Sequence, residues 1–190
     1  MAYGFRPVQM GGSKYNTGGF VKLPIEDALV GTPIYNGGPL AYTVATATAD
    51  TGISANDTPL DNDLSVGILV GATWVNADNE QKWGQYYDGN SGNKTGKAFA
   101  FVAPLENTIF QVQGSAAWDR KYIGWLNLVA GSTGSTATGN SNISLTLATA
   151  NGGNACVIPI GVLENGNETT TTPDVLVRFA AIGISTVPLI

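Results

Sequence analysis

Apolar residues recur along the chain in short runs rich in Val, Ile, Thr, Tyr and Phe, parted by clusters of Gly, Asn and Asp, and no stretch shows the spacing of an amphipathic helix. β-Branched and aromatic side chains pack well on a pleated surface, and Gly, Asn and Asp supply its turns, so the pattern predicts an all-β chain. Strands are expected at Gly31–Tyr35, Leu40–Thr46, Ser65–Val75, Lys82–Tyr87, Lys97–Ala103, Thr108–Gln113, Tyr122–Leu128, Ile143–Ala148, Val157–Leu163 and Asp174–Ile184. Pro104–Asn107 parts two alternating runs and reads as a corner or a hairpin. Alternation sets Phe99 and Phe101 on one face, and marks Phe110 and Val112 as the core residues of the run that follows. Asn76–Glu80 carries the Asx chemistry of a turn. Two long loops are expected, at Ala47–Asp63 and at Gly131–Asn142, the second uncharged and therefore either flexible or covered by protein. No repeat of fixed period is present, so a solenoid or propeller is not expected. The predicted fold is one compact antiparallel β-barrel or sandwich, with a jelly-roll among the possible topologies.

The first 25 residues break this pattern. Tyr3, Phe5, Tyr15 and Phe20 are interleaved with Gly4, Gly11, Gly12, Gly18 and Gly19 without either periodicity, and Arg6, Lys14 and Lys22 occur with no acidic residue. Such a segment has aromatic anchors but cannot build a core of its own, so it needs a surface to lie on, either its own body or a neighbour. It reads as an extended arm over residues 1–25 before a single β domain over residues 26–190, with Phe5, Arg6, Tyr15, Phe20 and Lys22 gripping a partner. The competing reading is a terminus packed on its own domain. Three positive charges are too few to hold DNA, where affinity needs many neutralised phosphates. The opposite end, Val187–Ile190, is apolar and is expected to tuck into its own core or a neighbour's groove.

Composition narrows the chemistry. At 190 residues the chain can bury about 70% of its unfolded surface as one domain without metal or disulfide. With 43% hydrophobic and only 12% charged residues, disorder is disfavoured and the surface must be largely neutral, which eases burial against other copies. Nine Lys plus Arg stand against 14 Asp plus Glu, a balance that opposes nucleic acid. The absence of His removes the commonest general base and transition-metal ligand, and a single cysteine, Cys156, excludes a disulfide framework and reads as a buried small hydrophobe. No apolar run approaches the roughly 20 residues that span a bilayer, and the N-terminus lacks the regions of a signal peptide, so the chain is read as made in a cytoplasm with no membrane partner.

Candidate sites are correspondingly few. Asp57, Asp61, Asp63, Asp78, Glu80 and Asp88 lie in turns, and glycosidase chemistry would need two of them to face across a cleft. Asp57–Asp63 clusters hard oxygen ligands for Ca²⁺ or Mg²⁺ but lacks EF-hand order, and a solvated turn is the preferred reading. Gly89–Thr95 has neither the spacing of a phosphate loop nor a helix after it. Trp74, Trp83, Trp118 and Trp125 read as core or interface, with sugar stacking as the competing use. Asp119–Lys121 stands between two tryptophans, and Trp118 with Arg120 is the kind of pair that anchors a subunit contact. No catalytic residue, cofactor or metal is assigned, and the chain is not read as an enzyme.

Four stretches carry a resemblance: Tyr3–Val8 (YGFRPV) with the Gly-rich stretch after it, Thr32–Leu40 (TPIYNGGPL), Val66–Ala72 (VGILVGA) and Asn107–Gln113 (NTIFQVQ). In this order, over most of its length, the chain resembles small head proteins of tailed bacteriophages, the decoration or cement class. The resemblance implies a structural virion protein on the outer surface of the capsid, stabilising the icosahedral head by bridging major capsid protein subunits. It further implies a homotrimer and an N-terminal arm that grips the coat. The longer loops of this chain depart from typical decoration proteins. A lectin-like, carbohydrate-binding attachment module of a virion is the alternative, and a major coat protein is disfavoured because no spine helix is legible.

Overall fold

Strand formation follows the alternation most closely in the middle of the chain, where two predicted runs appear with the expected limits. The structure is a computed structural model that describes residues 2–10, 19–26, 32–42, 53–55, 65–131, 134–148, 156–163 and 170–180. Among these residues the strands are β1 (Arg6–Met10), β2 (Val21–Pro24), β3 (Pro39–Tyr42), β4 (Ile53–Ala55), β5 (Ser65–Val75), β6 (Gln81–Gly84), β7 (Phe99–Pro104), β8 (Thr108–Gln113), β9 (Leu128–Ala130), β10 (Ser144–Thr146), β11 (Val157–Val162) and β12 (Asp174–Phe179). The only helical element among them is a single 3-10 turn at Arg120–Tyr122. The chain is therefore all-β, its sheets antiparallel and one of them curled as a half-barrel, consistent with a barrel or sandwich.

A first sheet has the order β1-β8-β12-β11. A second has the order β2-β7-β5-β3-β4, with β6 also on β5, and β9 pairs with β10. β5 organises the second sheet: β7 runs along Gly67–Thr73, while β3 takes its beginning and β6 its end. Pro104–Asn107 is a corner, since β7 belongs to the second sheet and β8 to the first. Asn107 turns the chain with a positive φ of 56°.

Two cores lie against these sheets. Phe5, Ile68, Phe110, Val112, Leu145, Val157, Val175 and Val177 form one; Ile25, Ile34, Leu40, Leu69, Ala72, Trp74, Tyr87, Ala100 and Val102 form the other. Phe110 and Val112 point inward as alternation requires. β5 serves both cores through a bulge between Leu69 and Gly71. Strict alternation would put Leu69 and Ala72 on opposite faces. The extra residue lets Val70 pack with Ile68 on the first core while Leu69, Ala72 and Trp74 share the second. Each large apolar side chain so buried contributes about 1.5–3 kcal/mol.

The described parts of the segment read as an arm, residues 2–10 and 19–25, are built into the body. β1 is an edge of the first sheet and β2 an edge of the second. Phe5 is 0% exposed and Ile25 is also buried, because aromatic and aliphatic anchors this close to a sheet edge are satisfied by their own core. Elsewhere, the described part of Gly31–Tyr35 supplies a bridge from Ile34 to Tyr87, and Lys82–Tyr87 ends as a strand at Gly84. Tyr122–Leu128 is not a strand: Gly124, at φ +80°, breaks the extension, and pairing resumes with the bridge of Asn127 to Val157 and with β9 from Leu128. The Ala47–Asp63 loop contains β4, and its Asp57–Asp63 part lies outside the described residues. In the Gly131–Asn142 loop, Gly134 bridges Ser141, Asn36 bridges Asn140, and Gly139 lies so close under Tyr86 that a Cβ there would come within 2.5 Å of the ring. That part of the loop is covered by protein.

Candidate interaction surfaces

The N-terminal contacts are made deep in the fold. Gly4 takes a φ of +74° that a side chain would strain, and it passes within backbone distance of Gly37, whose carbonyl accepts the Phe5 amide at 2.9 Å. Phe5 thereby enters the first core, with ring centroids 6.1 Å from Phe110 and 5.1 Å from Phe179. Tyr3 donates its hydroxyl to the Asp174 carboxylate and accepts from Gln111 Nε2 at 2.7 Å. Burial, together with the donated bond to Asp174, holds the Tyr3 phenol protonated well above its ordinary range. The Arg6 guanidinium lies 4.1 Å over the Tyr3 ring. Phe20 is half-buried against the first core, and Lys22 is exposed with its ammonium 4.3 Å over the Phe99 ring. Tyr15 lies outside the described residues.

Trp118 and Arg120 open an exposed ridge. Trp118 is half-buried on the first core and touches Tyr122, with ring centroids 6.2 Å apart. Asp119 caps the 3-10 turn by accepting the Lys121 amide at 3.0 Å, and its carboxylate pairs with Lys121 Nζ at 2.9 Å. Those two bonds hold the Asp119 carboxyl below its usual range, the backbone bond first, but both side chains face water and such a pair adds little stability. Arg120 is exposed beside it and takes no part in that pair. Beyond the turn, Ile123, Trp125 and Leu128 are exposed, Trp125 by 43%.

The ridge is apolar yet held firmly. Gly124 donates to the Pro159 carbonyl at 3.2 Å and Asn127 to the Val157 carbonyl at 2.8 Å, so the segment runs along the outer edge of β11. The Asn127 side chain is buried; its Nδ2 donates to Trp125 O and its Oδ1 accepts from the Ala148 amide, each at 2.8 Å. An irregular segment is thus fixed as if it were a strand, with its large apolar side chains turned to solvent.

A second exposed aromatic lies on the outer face of the second sheet. Trp83 is 71% exposed. It sits on β6 opposite Thr73, which pairs in turn with Phe99 of β7; Gly71 next along β5 pairs with Phe101, and Phe101 with Lys22. A Cβ placed on Gly71 would stand 3.3 Å from Gly84 O and 3.9 Å from both Trp83 Cζ2 and Phe101 Cδ2, so the two rings close over a buried glycine. Gln81 Nε2, on the same face, reaches Thr73 Oγ1 at 3.3 Å.

The remaining predicted groups serve structure. Trp74 is in the second core against Tyr87. Cys156 is buried in the first core. Asn76 Oδ1 accepts the Asp78 and Glu80 amides at 3.1 and 2.9 Å, which makes the expected Asx turn. Glu80 pairs with Lys82, and Asp88 accepts from Asn90 N–H and Asn93 Nδ2. Among the described residues no three His, Cys, Asp or Glu side chains gather as a metal site would require. Sequence reasoning missed Ile123 and Leu128 as surface groups because a predicted strand gives no sign of which face is covered. No family model, curated protein or solved structure matches the chain.

Proposed function

We propose that the protein is a decoration or cement protein of a tailed-phage head, lying on the outer surface of the capsid and bridging major capsid protein subunits. The observation that supports this reading best is the exposed ridge Ile123–Leu128, anchored by Asn127 and flanked by Trp118 and Arg120. Aromatic and Arg side chains at the centre of an apolar patch are the groups that carry binding energy between proteins. The resemblance of Tyr3–Val8, Thr32–Leu40, Val66–Ala72 and Asn107–Gln113 to head proteins supports the choice of partner. Arg6 and Lys22, exposed on the edge strands β1 and β2, add charge for setting register against that partner.

The mechanism is additive and involves no chemistry. A rigid β body is held by contacts that are each weak, and the repetition of the lattice multiplies them into resistance to internal pressure. Three copies around a local three-fold axis would close the contacts among themselves, since cyclic symmetry satisfies every identical surface.

The test uses heads stripped of this protein and then mixed with it. The wild-type chain is expected to restore density on the outer surface of the heads in cryo images. A variant carrying Ile123→Ser, Trp125→Ser and Leu128→Ser is expected to remain folded and fail to bind. Full occupancy by that variant would overturn the role of the ridge, and no binding by the wild type would overturn the function.

A further inference from the structure

The outer face of the second sheet has the shape of a small ligand site, and its residues take no part in the ridge. Trp83 and Phe101 stand on either side of Gly71, with Phe99 beside them, so the aromatic rings form a strip that closes over the buried Gly71. Donors rim this strip: the Gln81 amide near Thr73, and the Lys22 ammonium over Phe99. The Trp83 indole is 71% exposed and takes no part in the second core, which lies on the other face of the sheet.

The size of the patch selects the occupant. An aromatic side chain presents roughly 150–250 Å², so one exposed indole and two half-buried rings offer on the order of 300 Å². A stable protein contact needs about 800 Å² from each partner. The occupant is therefore narrow, flat on one side and polar at its edges. Nucleic-acid bases have that form, but a chain of net charge −5 repels a polyanion. A neutral pyranose has the same form without the charge: its axial C–H face stacks on an aromatic ring and its equatorial hydroxyls reach donors at the rim.

We propose that Trp83, with Phe99 and Phe101 beside it, forms a stacking site for a neutral polysaccharide chain, with Gln81 and Lys22 donating to its hydroxyls. This inference does not rest on the decoration reading and would stand if that reading failed.

Native electrophoresis of the full chain through gels containing dextran, hydroxyethylcellulose or galactomannan tests it. At least one of the three is expected to retard the wild-type protein. Trp83→Ala is expected to weaken that retardation at least tenfold. Because Trp83 is exposed, this variant should keep its fold, which near-UV circular dichroism checks. Gels with polygalacturonate should leave mobility unchanged. The proposal is overturned if none of the neutral polymers retards the protein, if Trp83→Ala is retarded like the wild type, or if the acidic polymer retards it most. It is equally overturned if Trp83→Ala converts an oligomer to a monomer in size-exclusion chromatography while sugar binding is unaffected, because the face would then join two copies.

Discussion

Phe5→Ala measures whether the N-terminal segment is part of the body. The ring is 0% exposed and packs against Phe110 and Phe179 in the first core. Truncating such a ring loses its transfer free energy and leaves a cavity, at a combined cost of about 3–5 kcal/mol. A domain of this kind has about 5–15 kcal/mol to lose, so the substitution should remove a large share of the stability. In urea, followed by far-UV circular dichroism, the midpoint should fall with the slope unchanged, the signature of a native state that is weaker but equally compact. By heat, the expected loss corresponds to a fall of roughly 10 °C for a chain of this length. Val8→Ala, at an exposed position on the same edge strand, should stay within about 0.5 kcal/mol of the wild type and serves as control. Removal of Met1–Ile25 should be worse than Phe5→Ala, since it also takes Ile25 from the second core and bares an edge of each sheet. The reasoning fails if Phe5→Ala costs less than about 1 kcal/mol and the truncated chain folds normally. The segment would then be a detachable arm.

Tyr3→Phe removes a hydroxyl that donates to Asp174 and accepts from Gln111, and should cost about 1–1.5 kcal/mol at neutral pH in chemical denaturation. The folded-state pKa of Tyr3 lies above its unfolded value of 10.0, so the wild type should hold this contribution below pH 10 and lose it as the pH rises toward the folded value. Tyr3→Phe should lack that part of the alkaline decline, and an identical decline in both proteins would contradict the assignment. Asn127→Ala strands the Ala148 amide and frees the Trp125 carbonyl, which should cost about 1–3 kcal/mol. Hydrogen exchange should then speed up along residues 124–128, and unchanged protection there would show that Asn127 does not hold the ridge.

Local sequence determined much of the architecture. Alternation between turn residues was enough for β5 and β8, whose predicted limits agree with the structure, and for the inward side of Phe110 and Val112. The Asx turn at Asn76 was legible because its hydrogen bonds close within the turn itself. These features depend on neighbours along the chain, so periodicity and residue type record them directly. Tertiary structure decided what each apolar surface meets. The aromatic content of Met1–Ile25 is the same whether Phe5 enters its own core or a partner's, and only the pairing of β1 with β8 places it in its own. Ile123, Trp125 and Leu128 have the composition of a buried strand, yet Gly124 and the Asn127 bonds turn them outward along β11. Trp83 and Phe101 meet over Gly71 only because a bulge in β5 sets that glycine between strands distant in sequence. Hydrophobicity along a chain states that a face must be covered or has been left bare. Which of the two occurs is set by strands distant in sequence, whose arrival depends on the energy of the whole fold.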